Sequence, residues 1–444
     1  MITRRSPLRS FALVCAGLML VGSALWSGAP ATAQPAGTIK IGILYDHTGP
    51  FAQGGSLNCW RGAKMIIEYV NEHGGVAGKY KIVQVDGDSQ SKGDIALNEA
   101  ERLLNVEKVD VLAGIYSSAH AVPLAERVDK EKKLLWITTA ISSKVFDGRN
   151  LQYTFRPQPT GDQFGRLSVQ YIADYAQEKF GKPATDLRLA IIYEDGPYGT
   201  DVAAGNEVKA KELGLNVVLK EAYSAQAPDL SSLVAKLRAA RPDVLFHTGY
   251  NPDIALFLRQ AKEGGLRVRA YLGHGAGHSQ LDKLKETIGA SEVEGFHSVD
   301  PAAAQLLDPQ GLKPGVWAMT EEMVRRYRKE FGEGDIAPHV SMGFNNLGIL
   351  LTDVLPRAIQ KSGGWSPEAI AAAARDTDIP VGGTMMGYGV KFYPPGHRFA
   401  GQNERAFPVV DEVIQGEFRI VYPKSLSKVN PSVLLPRTSP WASQ

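Results

Sequence analysis

Thr38-Ile39-Lys40-Ile41-Gly42-Ile43-Leu44-Tyr45 places Ile39, Ile41 and Ile43 at every second position, the period of a β-strand. Trp60, Ala63, Ile66, Ile67 and Val70 then recur at helical spacing until Gly74-Gly75 ends the helix. The same alternation continues with a strand at 81–85, a helix carrying Ala96, Leu97, Ala100, Leu103 and Leu104, a strand at 109–115, another helix, and a strand at 134–138. Strands separated by helices run parallel, because the crossover helix carries the chain back to the end of the sheet where the previous strand began.

A second series repeats the first. Strands are expected at 187–193, 216–220, 244–248 and 268–272, with helices at 201–213, 230–240 and 254–263 between them. The fold class is therefore α/β, with two doubly wound parallel-sheet lobes. Pro157 and Pro159 interrupt both periodicities, so the linker falls at 155–162. Beyond Leu272 the pattern loosens into helices at 320–331, 345–359 and 367–374, then a strand pair at 407–422 around Gln415-Gly416. The segment from Pro301 to Pro314 reads as a surface excursion, and 425–444 as a loose tail.

The first residues read differently. Arg4, Arg5 and Arg9 precede an uncharged apolar run from Phe11 to Trp26, and Ala31-Thr32-Ala33 follows, which is the layout of a signal peptide over 1–33 cleaved before Gln34. The run is short for a membrane span of about 20 residues. Arg4-Arg5 also fits a twin-arginine signal, so the export route stays open between that and the general one. Removing the leader turns a formal charge of +2 over 444 residues into −1, which argues against a polyanionic partner such as nucleic acid. Of two cysteines, Cys15 lies in the leader and Cys59 remains, so no internal disulfide is expected. Exported location and a freely soluble, monomeric protein follow as expectations.

Ligands of open parallel sheets bind beyond the carboxyl ends of strands. Those ends carry Asp46-His47-Thr48-Gly49, Tyr116-Ser117-Ser118, the stretch 138–143, Glu194 to Tyr198, Gly249-Tyr250-Asn251, and Gly273 to His278. Hydroxyls, glycines and aromatics suit holding a small polar molecule better than transforming it. No Gly-x-Ser-x-Gly elbow, phosphate loop or dinucleotide fingerprint is present, so an enzyme is not expected. His274 and His278 are four apart, but the glycines at 273, 275 and 277 argue against a helix, and no third ligand is evident; neither a metal nor a cofactor is expected. Cys59 reads as a small packed side chain, and Asp88-Ser89-Gln90-Ser91 as a cap for the next helix.

Together the stretches Lys40-Ile41-Gly42-Ile43, Thr48-Gly49-Pro50-Phe51-Ala52, Val70 to Val76, Gly114-Ile115-Tyr116-Ser117-Ser118, Tyr193 to Gly199, and Pro242-Asp243-Val244 with Gly249-Tyr250 resemble the leucine/isoleucine/valine-binding family of type I periplasmic binding proteins. The resemblance covers most of residues 38–300. It implies a receptor of an ABC importer that closes two lobes on a solute and delivers it to membrane permease subunits. It also implies three hinge crossings, near Pro157, Val299 and Phe399, which give lobe 1 as 37–157 plus 300–398 and lobe 2 as 158–299 plus 399–424. A sensing or scaffold protein with the same lobes is the alternative, disfavoured because no output segment follows Tyr422.

By the same resemblance Ser117 and Ser118 receive a ligand carboxylate, Ser142 takes the position of the family's threonine, and Tyr198 and Tyr250 close from lobe 2. One position departs. Where amino-acid binders carry an acid after the Leu-Gly strand end, this chain has Leu272-Gly273-His274-Gly275-Ala276. A buried ammonium without a carboxylate is costly. The expectation is therefore an uncharged or carboxylate-bearing solute shaped by His274, Trp60 or the tyrosines, unless Glu194 or Asp300 supplies the charge for an amino acid.

Overall fold

The computed structural model describes residues 37–443. The export-signal reading of 1–33, with Cys15 and the twin-arginine pair, lies outside these residues.

The first half of the chain builds a five-stranded sheet in the order β2-β1-β3-β4-β5. Its strands are β1 (Gly37–Tyr45), β2 (Tyr80–Asp88), β3 (Val111–Gly114), β4 (Leu134–Ile137) and β5 (Thr154–Phe155), joined by helices α1 (Leu57–Glu72), α2 (Gly93–Glu101) and α3 (Ser118–Lys130). Every pairing is parallel. β3 and β4 are buried along their whole length. That is why they read as continuous apolar runs rather than as alternation.

After β5 the chain enters a second sheet through α4 (Gly161–Tyr175), then β6 (Arg188–Glu194), α5 (Pro197–Glu212), β7 (Asn216–Tyr223), α6 (Ser231–Ala240), β8 (Val244–Thr248), α7 (Asn251–Glu263), β9 (Ala270–His274), α8 (Leu281–Ile288) and β10 (His297–Asp300). It then returns to the first half with α9 (Trp317–Phe331), α10 (Pro338–Ile349), α11 (Leu355–Ser362) and α12 (Pro367–Arg375). It comes back to the second sheet for the antiparallel pair β11 (Val409–Ile414) and β12 (Glu417–Tyr422). The second sheet is ordered β12-β11-β10-β9-β8-β6-β7. Gln415 (φ 56°) and Gly416 (φ 75°) adopt the left-handed backbone that a two-residue hairpin demands.

One helix pair in each half packs backbone to backbone. A Cβ on Gly62 of α1 would overlap Val340 and Phe344 of α10, and one on Gly343 of α10 would overlap Cys59 and Ala63 of α1. Gly165 of α4 and Gly205 of α5 do the same for each other's helices. The α1–α10 contact brings α10 to the carboxyl ends of the first sheet's strands, where His339 and Met342 face the space between the halves.

The passages between the halves are stitched together. Arg156 is completely buried; its Nε donates to Gln402 Oε1 (2.6 Å) and its Nη1 to the carbonyls of Ala140 and Ser142 (both 2.9 Å). Gln402 Nε2 donates to Gln158 O (2.6 Å), Asn403 Nδ2 to Pro157 O, and Asn403 N to Arg156 O (3.0 Å).

Three expectations need correction. The segment 301–314 is a surface excursion only in its second half: Ala302, Ala303, Ala304 and Leu307 are buried, and Ala304 N donates to Ser341 Oγ (3.0 Å), while 309–311 and 313–314 are exposed. The stretch 425–443 is not loose, because Val433, Leu435 and Trp441 are buried and Val268 N donates to Trp441 O (2.8 Å). Asp88 does not cap α2. Its carboxylate instead accepts from His47 N (2.9 Å), Thr48 N (3.2 Å) and Thr48 Oγ1 (2.7 Å), holding the loop after β1.

Candidate functional site

At the end of β3, Gly114 (φ 119°) and Ile115 (φ 68°) turn the chain sharply so that Tyr116-Ser117-Ser118 leads into α3. Ser117 caps the helix, its Oγ accepting from Ala119 N (3.2 Å). Ser118 is the first helical residue, and backbone N–H groups of a first turn have no partner inside the helix. Within that turn Ala119 N is taken by the Ser117 cap and His120 N by Ser117 O (3.2 Å), which leaves the Ser118 N–H and hydroxyl at the positive end of the helix, a setting favourable to an anion. Ser118 Oγ is held by Ser142 N (3.1 Å).

These donors open on a cavity between the two halves. The first half contributes Tyr116, Ser118, Thr139, Ile141, His339 and Met342; the second contributes Phe164, Tyr198, Tyr250, Gly275, Ala276 and Asp300. Aromatic rings crowd it: Tyr250 lies 4.4 Å from Phe51, 5.3 Å from Tyr198 and 6.1 Å from Tyr116, centroid to centroid. Tyr116 donates to Gly54 O (2.7 Å) and Tyr198 to His274 O. Burial pushes all three tyrosines well above the usual phenol range, so they act as neutral hydroxyls.

Asp300, the last residue of β10, is the acidic group in the cavity wall. It is 1% exposed, and its Oδ2 has no hydrogen-bond partner among the described residues. Oδ1 lies 3.5 Å from the position a Cβ would take on Gly275, beside the Tyr198 hydroxyl at 3.4 Å. Burial raises its carboxyl well above the ordinary range, with the Ser279 hydroxyl opposing. Across the cavity, burial holds His339 neutral by pushing its imidazole down to about 3, and Nδ1 pairs with Gln280 Nε2 (2.9 Å).

The halves also meet through direct hydrogen bonds. Asp201 Oδ2 accepts from Ser143 N (2.9 Å) and Oγ (3.1 Å); Asn58 Nδ2 donates to Gln280 Oε1 (2.8 Å).

Of the residues singled out in the sequence, Ser118, Tyr198 and Tyr250 line the cavity, with Ser117 buried directly behind as the cap. Ser142 and His274 do not line it. Ser142 Oγ accepts from Lys144 N (3.3 Å), making it the cap of a short turn. The His274 imidazole is sealed behind the wall, Nδ1 on Thr248 Oγ1 (2.9 Å) and Nε2 on Ser168 Oγ (3.0 Å), and only its carbonyl reaches Tyr198. Trp60 is also elsewhere, donating to Asp86 Oδ1 (2.9 Å). Glu194 spends its carboxylate on Gly196 N (2.7 Å) and Gly199 N (2.5 Å) at the start of α5. Cys59 is buried and accepts from Thr139 Oγ1 (3.1 Å).

Thr139, Ile141, Phe164, His339 and Met342 were not singled out. Thr139 and Ile141 fall in the strand-end stretch 138–143, a usable signal. Phe164, His339 and Met342 come from helices, and only the tertiary packing described above brings them in. A helix N-terminus, a buried carboxyl and an apolar lining thus share one cavity.

Residues 38–410 match the family described as Periplasmic binding protein. The chain is 35% identical over 403 residues to the Leu/Ile/Val-binding protein homolog 7 of Brucella suis, covering 91% of this chain and 95% of that protein. Among solved structures it is similar to a leucine-binding protein of Thermotoga maritima (TM-score 0.70, 22% identity, 87% of this chain and 100% of that one). It is also similar to an ABC-transporter solute-binding protein of R. palustris in complex with benzoate (TM-score 0.69, 15% identity, 89% and 98%).

Proposed function

The chain belongs to the periplasmic binding protein family and is a solute-binding receptor; from that premise we propose that its solute is an amino acid with an apolar side chain. The observation that carries the proposal is Asp300, a carboxylate buried without a full set of partners in the wall of the interlobe cavity. The ligand ammonium pairs with Asp300, and its carboxylate meets Ser118 and the first turn of α3. Its side chain packs among Ile141, Phe164 and Met342. Asp300 thus takes the place of the acid that His274 displaces from the Leu-Gly strand end. The names of the relatives, leucine-binding or Leu/Ile/Val-binding, agree with such a solute.

On this reading the two halves are lobes that close about the three crossings, solute contacts with both lobes bias the equilibrium, and the closed form is presented to permease subunits. The protein acts in the periplasm as a monomer, reached through the signal at 1–33, and binds without transforming its solute. Ser117, as cap, and Tyr198 and Tyr250, from the second lobe, complete the site.

A second reading has one observation in its favour. Burial raises the Asp300 carboxyl and so favours its protonated, hydrogen-bond-donating form, suited to a carboxylate lacking an ammonium, and one structural neighbour holds benzoate. Calorimetric titration with L-leucine, 4-methylpentanoate and benzoate separates the two. The amino-acid reading requires leucine to bind at least a hundredfold tighter than 4-methylpentanoate, which differs from it by the ammonium; the reverse order overturns it.

A further inference from the structure

Behind the cavity wall of the second lobe lies a chain of buried polar side chains that the solute site does not use. Asp253, in the first turn of α7, accepts from Tyr223 Oη through Oδ2 (2.7 Å). Tyr223 Oη is 2.8 Å from His247 Nε2, His247 Nδ1 is 2.7 Å from Tyr271 Oη, and Tyr271 Oη is 2.8 Å from His278 Nε2. The five groups come from α7, β7, β8, β9 and the turn after β9, and all five are buried. At its acidic end the chain touches the cavity wall: Asp253 Oδ1 and Oδ2 accept from the backbone N–H of Tyr250 (3.0 and 3.2 Å).

The bond directions follow from the donor inventory. A Tyr223 hydroxyl that gives its one proton to Asp253 must receive one from His247, so His247 carries its proton on Nε2. Its Nδ1 then accepts from Tyr271, whose oxygen accepts from His278 Nε2–H. His278 Nδ1 is left without a proton, and it is buried with no partner among the described residues. Reversing the chain would place an N–H at that unpartnered position. An ionised Asp253 therefore orients all four donors toward itself. Both imidazoles are held neutral by burial, His247 pushed down to about 3 and His278 well below its usual range.

Two glycines make room for this arrangement. A Cβ on Gly249 would overlap both Asp253 Oδ2 and Tyr223 Oη, and one on Gly273 would overlap the His278 ring. Both sit at carboxyl ends of strands, beside the site.

We propose that His278, Tyr271, His247, Tyr223 and Asp253 form a one-way hydrogen-bond relay that positions Tyr250 against the solute and couples solute affinity to the protonation of Asp253. All five are positioning residues. The coupling rests on the amino-acid reading; the relay does not. The titratable groups facing Asp253 are Tyr223 from β7, Glu194 at the end of β6, Tyr198 from α5, His247 from β8 and Tyr271 from β9, with Tyr250 on its own element. Burial raises the Asp253 carboxyl to about 7, Glu194 adding to the rise, so its charge changes within the working range of pH.

Two measurements test this. In the ligand-free full chain, long-range nitrogen-15 NMR at pH 8 should find the ring protons of His247 and His278 on Nε2; a proton on His247 Nδ1 overturns the relay. With L-leucine as probe, Tyr223→Phe should weaken binding about tenfold at pH 8 and only two- to threefold at pH 6, where Asp253 is protonated in both proteins. A ratio that is constant with pH, or near one throughout, overturns the coupling and leaves Tyr223 a packing residue. If the unmodified protein takes up no leucine, the coupling falls with the solute assignment, while the tautomers still decide the relay.

Discussion

Replacing Asp300 by Asn keeps the shape of the cavity wall and removes the charge. In the structure this carboxylate is buried at the end of β10, with one oxygen unpartnered. A ligand ammonium about 4 Å away would gain about 4 kcal/mol from it at the effective dielectric of 20 that suits protein sites. Withdrawing one partner from a buried pair costs about 3–5 kcal/mol, because the survivor stays buried and uncompensated. At about 1.4 kcal/mol per decade, leucine should bind the Asp300→Asn protein about two to three and a half orders of magnitude more weakly. The deaminated analogue 4-methylpentanoate carries no charge to be stranded and should bind the variant at least as well as the unmodified protein. Isothermal titration of both ligands against both proteins gives the four dissociation constants required. A leucine affinity within threefold of the unmodified protein would refute the pairing and with it the assignment of an amino-acid solute.

The donor end of the cavity is checked by Ser118→Ala, which removes a hydroxyl facing the ligand carboxylate and should weaken leucine binding by about 1.5–3 kcal/mol, roughly ten- to a hundredfold by titration. Gly249→Ala drives a methyl group into the Tyr223–Asp253 contact, and its melting temperature should drop by several degrees; an unchanged melting curve would mean that the wall yields freely. Asp411, buried in β11 with Oδ1 unpartnered, is raised by burial to about 8, with Asp335 adding to it. A carboxyl whose folded value is raised contributes stability that is full below its unfolded pKa and lost as pH climbs to the folded one. Between pH 5 and 7 the unmodified protein should therefore lose about 1.4 kcal/mol per pH unit more than Asp411→Asn in urea titrations, and parallel curves would contradict the burial argument. Deleting 431–444 uncovers the sites of Val433, Leu435 and Trp441, each worth about 1.5–3 kcal/mol of burial, and should lower the melting temperature by about 10 °C.

Periodicity made most of the fold legible because parallel strands and their crossover helices advertise themselves locally. Val244–Thr248 was readable to the residue, since a strand buried on both faces admits little but apolar side chains. α4 escaped notice: Gly161 and Gly165 dilute its apolar pattern, and their purpose, close approach to α5, exists only once both helices are in place. β10 was missed because His297-Ser298-Val299-Asp300 carries a single apolar residue, although all four are buried, between β11 and β9 in the second sheet. The tail misled through its prolines and serines, which mark the absence of regular structure without excluding docking by backbone bonds on Val268 and Arg269, just before β9.

At the site, Ser118, Tyr198 and Tyr250 were accessible because strand ends and helix starts are local features. His274 was a reasonable suspect on position, yet at the end of a buried strand its ring points into the lobe and is satisfied there by Thr248 and Ser168. Asp300 could be named as a possible charge but not chosen over Glu194. What separates them is whether a carboxylate is consumed by local backbone N–H groups, as Glu194 is, or left aimed at the cavity.

The Arg156 stitching bears on how the lobes move. Two of the three passages share a buried guanidinium, side-chain amides and backbone bonds, so mechanically they are one stiff ribbon with a single partner strand beside it. A joint made that way bends about one axis and resists twist. Opening should follow a narrow arc that returns Tyr250 and Asp300 to the same register against Ser118 on every cycle. Loosening Gln402 would then show itself as a broader spread of open shapes in small-angle scattering, with the closed receptor unchanged.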